Sequence, residues 1–353
     1  MTRTVDETSV DRSRPAPQPG ASSAGAFATP AARRRYLIVL TVLIALSALF
    51  AIGLLAWDNP LPFGSAGFWR VAELRVGSVV VMALVAFCQA MATVSFQTVT
   101  NNRIITPSIM GFESLYVAIQ TSVVYFAGAA GLMAFAGIPQ FLVQVGLMVV
   151  LATLLYTWLL SGRRGSMHVM LLVGIIIGGG LGSVATFMQR LLSPSEFDVL
   201  NARLFGSVTN ADDALLPVAV PLCLAAGIAL WLSSRRLNVV ALGADVANNL
   251  GLNHRGETIR VLFLISILMA VSTALVGPMT FLGFLVATLA YQFADTYDHR
   301  RIFPIAALTG FVVLSGAYFV MNHVFYAQGV VSILIEMVGG SVFLYVILRK
   351  GRL

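Results

Sequence analysis

Residues 235–253 read RRLNVVALGADVANNLGLN and form a polar-edged insert between two long apolar runs. Gly243 permits a tight turn, and Asp245 can cap a short helix while favouring its positive end. Gly251 can close the same helix in a left-handed conformation. The stretch therefore predicts one short helix that connects two apolar segments.

Within this helix, Val246, Ala247 and Leu250 fall at helical spacing and share one face. We expect them to form a small apolar patch that suits docking into a groove on a partner. An ordinary amphipathic connector between two membrane spans would show the same pattern. The spacing alone leaves both interpretations open.

The composition is typical of a membrane protein, because 58% of the 353 residues are hydrophobic and only 10% are charged. The mean hydropathy is +0.88, which lies outside the range of soluble domains. Ten runs are long enough to cross about 30 Å of hydrocarbon as helices. We therefore predict an all-α membrane protein with about ten transmembrane helices. The predicted spans are 36–57, 75–99, 109–127, 140–160, 167–190, 214–232, 258–276, 279–293, 303–322 and 330–348.

The distribution of basic residues predicts the orientation in the bilayer. Ten spans place both termini on the same side, and a cytoplasmic N-terminus leaves all but four of the 22 Lys and Arg residues inside. The four outside would be Arg70, Arg75, Arg190 and Arg203. The net charge of +7 therefore reflects topology, and no nucleic-acid partner is needed to explain it.

Residues 1–32 are rich in Ser, Thr, Ala and Pro without periodicity, and they predict a disordered cytoplasmic tail. Residues 33–353 should form one transmembrane domain. Cys88 and Cys223 lie inside apolar runs, which favours core packing, and the four histidines show no metal-ligand spacing. Because no nucleotide-binding motif or clustered nucleophile and base occurs, we expect no catalytic residues, metal or cofactor in this chain.

Residues 241–251 resemble the cytoplasmic loop of the iron-siderophore and cobalamin permease family of ABC importers, where Ala-Leu-Gly-x-x-Val-Ala-x-x-Leu-Gly inserts into the ATPase. The resemblance implies that residues 237–253 form a coupling loop and that ATP is hydrolysed on a separate cytoplasmic ATPase. The residues that it assigns to ATPase coupling are Leu242, Gly243, Asp245, Val246, Ala247, Leu250 and Gly251.

A second segment, residues 101–111, is similar to the Asn-Pro-Leu-Ala-x-Pro-x-x-Leu-Gly turn of this family. Asn101, Pro107 and Gly111 hold matching positions, whereas Asn102 replaces the first proline. Pro107 suits the first turn of a new helix, so the segment should reverse the chain. Further similar stretches lie at 204–208, 277–283 and 339–345.

The sequence departs from the family pattern at two places. Ala287 and Thr288 replace a Pro-His pair, and residues 328–332 replace Glu-Leu-Pro-x-Gly. Similar departures occur in permeases that pair with a non-identical subunit to import ferric siderophores. The resemblance thus implies a permease dimer, with a heterodimer favoured, together with an ATPase and an extracytoplasmic substrate-binding protein.

In this family the transport pathway follows the two-fold axis of the dimer and is lined largely by the fifth and tenth spans. Gly178 and Gly182 repeat at four-residue spacing on the fifth span, and Gly339 and Gly340 give the tenth a similar patch. Such patches allow close helix approach or leave pore volume. Packing within the chain would explain the glycines equally well.

Two carboxylates lie within predicted spans, where charge is costly. Glu113 is one turn into the third span, and Glu336 is roughly mid-way along the tenth. We expect only Glu336 to lie deep in the membrane. It either faces the pathway or is a neutral or paired residue packed within the bundle.

On the outer side, Arg75 opens the second span in a segment that resembles the Leu-Arg-x-Pro-Arg of the family, with Ser78 in place of the second arginine. The resemblance implies that Arg75 meets a glutamate on the substrate-binding protein, a contact that suits the planar guanidinium. Arg70 lies in the same loop and can substitute for the missing arginine. Either residue could instead be simply solvated.

The sequence as a whole predicts the permease subunit of an ABC importer in the cell membrane, most consistent with a ferric siderophore as cargo. A secondary active transporter is the alternative. That class usually shows two similar half-chains, and this sequence has no internal repeat.

Overall fold

The computed structural model describes residues 25–27, 29–134, 136–161, 167–208, 211–325 and 331–350. The described residues are largely helical and contain no strand, so the predicted all-α fold is confirmed. Residues 1–24 of the predicted tail and residues 328–330 lie outside the described residues. The helices are α1 (Pro30–Ala56), α2 (Ala66–Val99), α3 (Glu113–Ala134), α4 (Ile138–Ser161), α5 (Met167–Gln189), α6 (Pro194–Leu204), α7 (Leu216–Leu232), α8 (Ser234–Val240), α9 (Ala244–Asn249), α10 (His254–Val276), α11 (Leu282–Ala294), α12 (His299–His323) and α13 (Val331–Lys350).

Nine helical segments of the described chain are long and apolar enough to cross a membrane. The predicted span at 279–293 corresponds to α11, whose 13 residues reach only about 20 Å at 1.5 Å per residue. Gly277 ends α10 with φ of 86°, and a non-helical stretch separates α10 from α11. Met279 and Leu282 are fully buried, and irregular backbone within a membrane is tolerated where protein surrounds it. The expectation of a full-length helix here was wrong.

Helices α2 and α10 lie at the centre of the bundle, because most of their membrane-spanning residues are buried. α2 packs against α10 and α12, and α10 also packs against α4 and α7. In this core the Sγ atoms of Cys88 and Cys223 lie 3.0 Å apart, and both residues are buried free thiols. In contrast, α1 and α13 are mostly exposed, so their apolar side chains are left to meet lipid or another subunit.

The two ends of the described chain lie at one end of the bundle. Near the N-terminus, the carbonyl oxygen of Ala26 accepts a hydrogen bond from Thr296, which lies between α11 and α12. Near the C-terminus, Val346 lines a small cavity together with Arg103 and Tyr291, which lie after α2 and in α11. This arrangement agrees with the prediction that both termini lie on one side of the membrane.

The described part of the predicted tail is ordered, which corrects the boundary at residue 32. The Phe27 ring lies 5.2 Å from the Tyr36 ring, measured between centroids. The hydroxyl of Thr29 accepts a hydrogen bond of 3.2 Å from the backbone N–H of Ala32 and caps α1, which begins at Pro30. The contact between Phe27 and Tyr36 and the cap at Thr29 stabilise this segment. Its Ser-, Thr-, Ala- and Pro-rich composition is nevertheless typical of disordered chains.

The short helix α6 was not predicted. It begins with a capping box, in which the Ser193 hydroxyl accepts a hydrogen bond from the backbone N–H of Glu196 and the Glu196 carboxylate bonds back to Ser193. These hydrogen bonds lower the pKa of Glu196. The C-terminal end of α6 approaches the break between α10 and α11, because the backbone N–H of Ser207 donates to Val276 at 2.8 Å.

Candidate functional site

The short helix predicted between Gly243 and Gly251 is α9, and the stretch 235–253 also contains most of α8, which was not predicted. Gly243 separates them with φ of 95°, and Gly251 follows α9 with φ of 81°. Both values lie in the left-handed region that favours glycine, as their sequence positions suggested. Gly243 itself is the N-cap of α9. Asp245 therefore lies in the first turn rather than at the cap, where its charge still favours the positive end of the helix.

Three apolar side chains on this segment are exposed, and we call them the exposed patch. Leu242 is 59% exposed, Val246 44% and Leu250 64%. Ala247 is fully buried, which corrects its predicted place in the patch, because α9 turns this position toward the rest of the chain. Val246 and Leu250 are four residues apart on α9 and its C-cap and so share a side, whereas Leu242 precedes the turn at Gly243.

Helix α8 is attached to the membrane-spanning helices by a partly buried hydrogen-bond network around Asn238. Its side-chain oxygen accepts from the backbone N–H of His299 at 3.1 Å and lies 2.5 Å from the ring Nδ1 of that residue. Its amide nitrogen donates to Asp298 at 3.1 Å. The other ring nitrogen of His299 lies 2.6 Å from the hydroxyl of Thr98. One asparagine thus joins α8 to the start of α12 and, through His299, to the end of α2.

An ion pair provides a second attachment. Arg236 in α8 lies 3.3 Å from a carboxylate oxygen of Glu257 in α10, and Arg260 lies 3.5 Å from the other oxygen. The Glu257 side chain is only 8% exposed, so its charge is held away from solvent by two arginines. Arg236 therefore attaches α8 to α10, as Asn238 attaches it to α12.

The two arginines predicted to dock a binding protein differ in structure. The guanidinium of Arg75 donates to the backbone carbonyls of Trp57 at 2.6 Å, Asp58 at 3.1 Å and Leu54 at 3.3 Å. These carbonyls are at the C-terminal end of α1, where a cation is favourable. Arg75 is therefore used within the chain. Arg70 is exposed and makes no hydrogen bond or ion pair with the residues that the structure describes.

The predicted pathway glycines fall into two groups, and the first packs within the chain. A Cβ atom added at Gly178 would lie 2.8 Å from the Cα of Gly111. A Cβ added at Gly339 would lie 2.6 Å from the Cβ of Phe281. Both glycines are buried. Close packing within the chain accounts for both glycines, and their pathway role stays a prediction.

The second group is more open. Gly182 and Gly340 are half-buried, and the nearest atom to an added Cβ is 3.9 Å away at each. Gly179 and Gly180, which lie beside Gly178, are exposed and have no atom within 4 Å of an added Cβ. The open glycine surface of α5 is therefore formed by Gly179, Gly180 and Gly182, whereas the sequence spacing suggested Gly178 and Gly182.

Of the two carboxylates predicted to lie within spans, Glu113 is the one that is buried in the protein. It is 8% exposed and accepts hydrogen bonds from the backbone N–H of Met279, at 3.1 Å, and from the hydroxyl of Thr280. These groups belong to the break between α10 and α11, which the Gly277-Pro278 pair signals in the sequence. Glu336 is exposed on α13 and lies close enough to Glu113 to interact with its charge.

Among the residues that the structure describes, no three His, Cys, Asp or Glu side chains lie close enough together to hold a metal ion. The candidate site consists of the exposed patch, the hydrogen-bond network around Asn238 and the ion pair between Arg236 and Glu257.

Comparison with known proteins places these features in a family. The FecCD transport family matches residues 36–349 of the chain. The chain belongs to the FecCD transport family. This FecCD chain is 54% identical to the petrobactin import system permease protein FatC of Bacillus anthracis over 94% of both chains. It is 34% identical to the petrobactin import system permease protein YclO of Bacillus subtilis over 84% of this chain and 90% of that relative.

A solved structure shows the same fold. The inward-facing conformation of a metal-chelate type ABC transporter superposes with a TM-score of 0.75, at 20% identity, over 89% of this chain and 99% of the other. Together with the nine apolar helices, family membership identifies this FecCD chain as a multi-pass protein of the plasma membrane. The alignment with FatC spans nearly all of the chain, including α8 and α9.

Proposed function

We propose that this chain is the membrane-spanning permease subunit of an ABC importer that moves a ferric siderophore into the cytoplasm. The observation that carries the proposal is 54% identity over 94% of both chains with a permease named for petrobactin import. A second relative with the same substrate in its name is 34% identical. The cargo is therefore a siderophore of the same chemical class.

In this proposal the exposed patch docks into a groove on a separate ATPase subunit. Leu242, Val246 and Leu250 are three exposed apolar side chains close together in sequence, and covering them removes apolar area from water. Gly243, Asp245, Ala247 and Gly251 hold the segment in shape and do not contact the partner directly. ATP is hydrolysed on that partner and not on this chain.

Movement of the docked segment would reach the membrane through two attachments. Asn238 bonds α8 to α12 and, through His299, to α2, while Arg236 and Glu257 bond it to α10. Breaking a hydrogen bond that is shielded from water costs more than breaking an exposed one, because water cannot replace the lost partner. We infer that α8 moves together with α2, α10 and α12 when the ATPase closes.

The pathway would run between this chain and a second permease. Glu336 lies on an exposed face of α13, and a carboxylate that faced lipid there would be costly. It is therefore proposed to face the pathway, together with Gly182 and Gly340. A non-identical second permease is favoured by the sequence departures described above, and Arg70 is the arginine left free to meet a substrate-binding protein on the outer side.

Co-expression tests the proposal. The chain should co-purify with its ATPase and a second permease, and cells that lack all three should regain uptake of radiolabelled iron-siderophore only when all are supplied. A matched set that omits the ATPase serves as the control. Full uptake without the ATPase would instead indicate a secondary active transporter.

A further inference from the structure

A cavity of about 530 Å³ lies between α3, α4, α6 and the final turn of α10, and its lining includes several polar side chains. α10 starts next to the exposed patch and ends at Val276, so the cavity is at the opposite end of the bundle from the ATPase surface. Its described lining contains no residue of α5 or α13. The cavity is thus separate from the proposed pathway.

Two glutamine side chains line this cavity and remain incompletely bonded. Gln120 and Gln144 are 3% and 6% exposed and share one hydrogen bond of 2.8 Å. In the described part of the chain, Gln120 Oε1 and Gln144 Nε2 have no partner at hydrogen-bonding distance. The buried Tyr116 lies beside both side chains in the cavity wall, and its hydroxyl donates to the backbone carbonyl of Arg203. Reversing both amides exchanges the two roles but still leaves one donor and one acceptor. A buried polar group without a hydrogen-bond partner is costly. These two atoms would therefore be stabilised by a ligand in the cavity that both accepts and donates a hydrogen bond.

A cation lies in the same wall. Arg203 is half-buried and donates to Gln140 at 3.2 Å, yet none of the three ion pairs in the described residues includes it. The acid that also lines the cavity, Asp212, is exposed and caps a short turn by accepting from the backbone of Ala214 at 2.9 Å. A guanidinium with unused N–H groups matches the oxygens of a carboxylate or a phosphate.

We propose that this cavity binds a small oxyanion, with Arg203 holding the charge and the Gln120–Gln144 pair supplying the remaining hydrogen bonds. A carboxylate or phosphate would fill the unused donors of Arg203 and Gln144, and a hydroxyl on the same molecule would donate to Gln120. Such an occupant would contact Val276 and Gly277 and stabilise the break between α10 and α11. The shared chemistry fits a soluble anion or a lipid headgroup.

Calorimetric titration of the purified full-length chain in detergent distinguishes these sources. The probes are inorganic phosphate, succinate and dihexanoyl phosphatidylglycerol. Saturable binding of either soluble anion identifies a soluble ligand, and saturable binding of the lipid alone identifies a headgroup site. In both cases Arg203→Gln should raise the dissociation constant at least ten-fold, and Gln144→Leu should raise it several-fold.

The matched control is Arg190→Gln, because Arg190 is exposed, lies between α5 and α6 and does not line the cavity. It removes the same charge and should leave the dissociation constant unchanged. Thermal melting without probe checks that each variant is folded, and Gln144→Leu keeps the test valid if Arg203→Gln fails to fold. Absence of saturable binding for all three probes, or equal affinity in all folded variants, would overturn the proposal and leave a cavity that holds only water.

Discussion

Truncating the side chains of the exposed patch should weaken ATPase binding. The size of the effect follows from how much of each side chain is exposed and can be covered by the partner. Burying a whole Leu or Val side chain contributes about 1.5–3 kcal/mol. Leu250 is 64% and Val246 is 44% exposed, so a partner that covers both gains only part of that value for each. The double change Val246→Ala and Leu250→Ala should therefore cost about 2 kcal/mol, or roughly thirty-fold in the dissociation constant.

Replacing the same two residues with Asp should be more severe, because two carboxylates would have to be desolvated in the groove. Burying these unpaired charges should raise the free-energy cost of association by on the order of several kcal/mol. The complex should therefore not survive purification. The assay is ATPase retention on the immobilised permease, with dissociation constants from a titration of labelled ATPase. Leu74→Ala is the control, since Leu74 is 77% exposed near the start of α2, away from α8 and α9. If the double Asp variant retains its ATPase at the wild-type ratio, the exposed patch is only a connector.

Three further predictions concern the remaining parts of the site. Asn238→Leu should leave the ATPase bound and hydrolysing ATP while substrate uptake falls, because the link to α12 and α2 is lost; equal loss of both activities would contradict this. Gly178→Ala should lower the melting temperature, since its Cβ would meet the Gly111 backbone at 2.8 Å and overpacking costs about 1–3 kcal/mol, whereas Gly179→Ala should not. Arg70→Glu should weaken docking of the binding protein measured by titration, while Arg75→Gln should lower the melting temperature and leave docking unchanged; the reverse pattern would restore Arg75 as the docking residue.

Much of the fold follows from the sequence, because long apolar runs can satisfy their backbone in a bilayer only as helices. The end of α10 at Val276 was predicted, but the span expected to start at residue 279 becomes helical only at Leu282, because the residues between are largely apolar. Gly277 followed by Pro278 signals the break, but nothing in the sequence shows that the Glu113 carboxylate accepts hydrogen bonds from Met279 and Thr280. That contact joins residues more than 160 positions apart.

The site was predictable where a residue type fixes a backbone conformation. Gly243 and Gly251 adopt positive φ, as their positions in the segment suggested. Spacing could not show that Ala247 faces inward, because the side of a six-residue helix that is covered depends on its neighbours in space. For the same reason the sequence did not reveal that Arg75 caps α1 or that Gly178 contacts Gly111.

The most direct test of the central claim is uptake of ferric siderophore into proteoliposomes that contain this chain, its second permease and the ATPase, with the binding protein outside. The account predicts that uptake requires hydrolysable ATP inside the vesicles and stops with a non-hydrolysable analogue. Dissipating the proton gradient should have no effect. Uptake at the same rate without ATP, driven by an imposed proton gradient, would contradict the account and identify a secondary transporter.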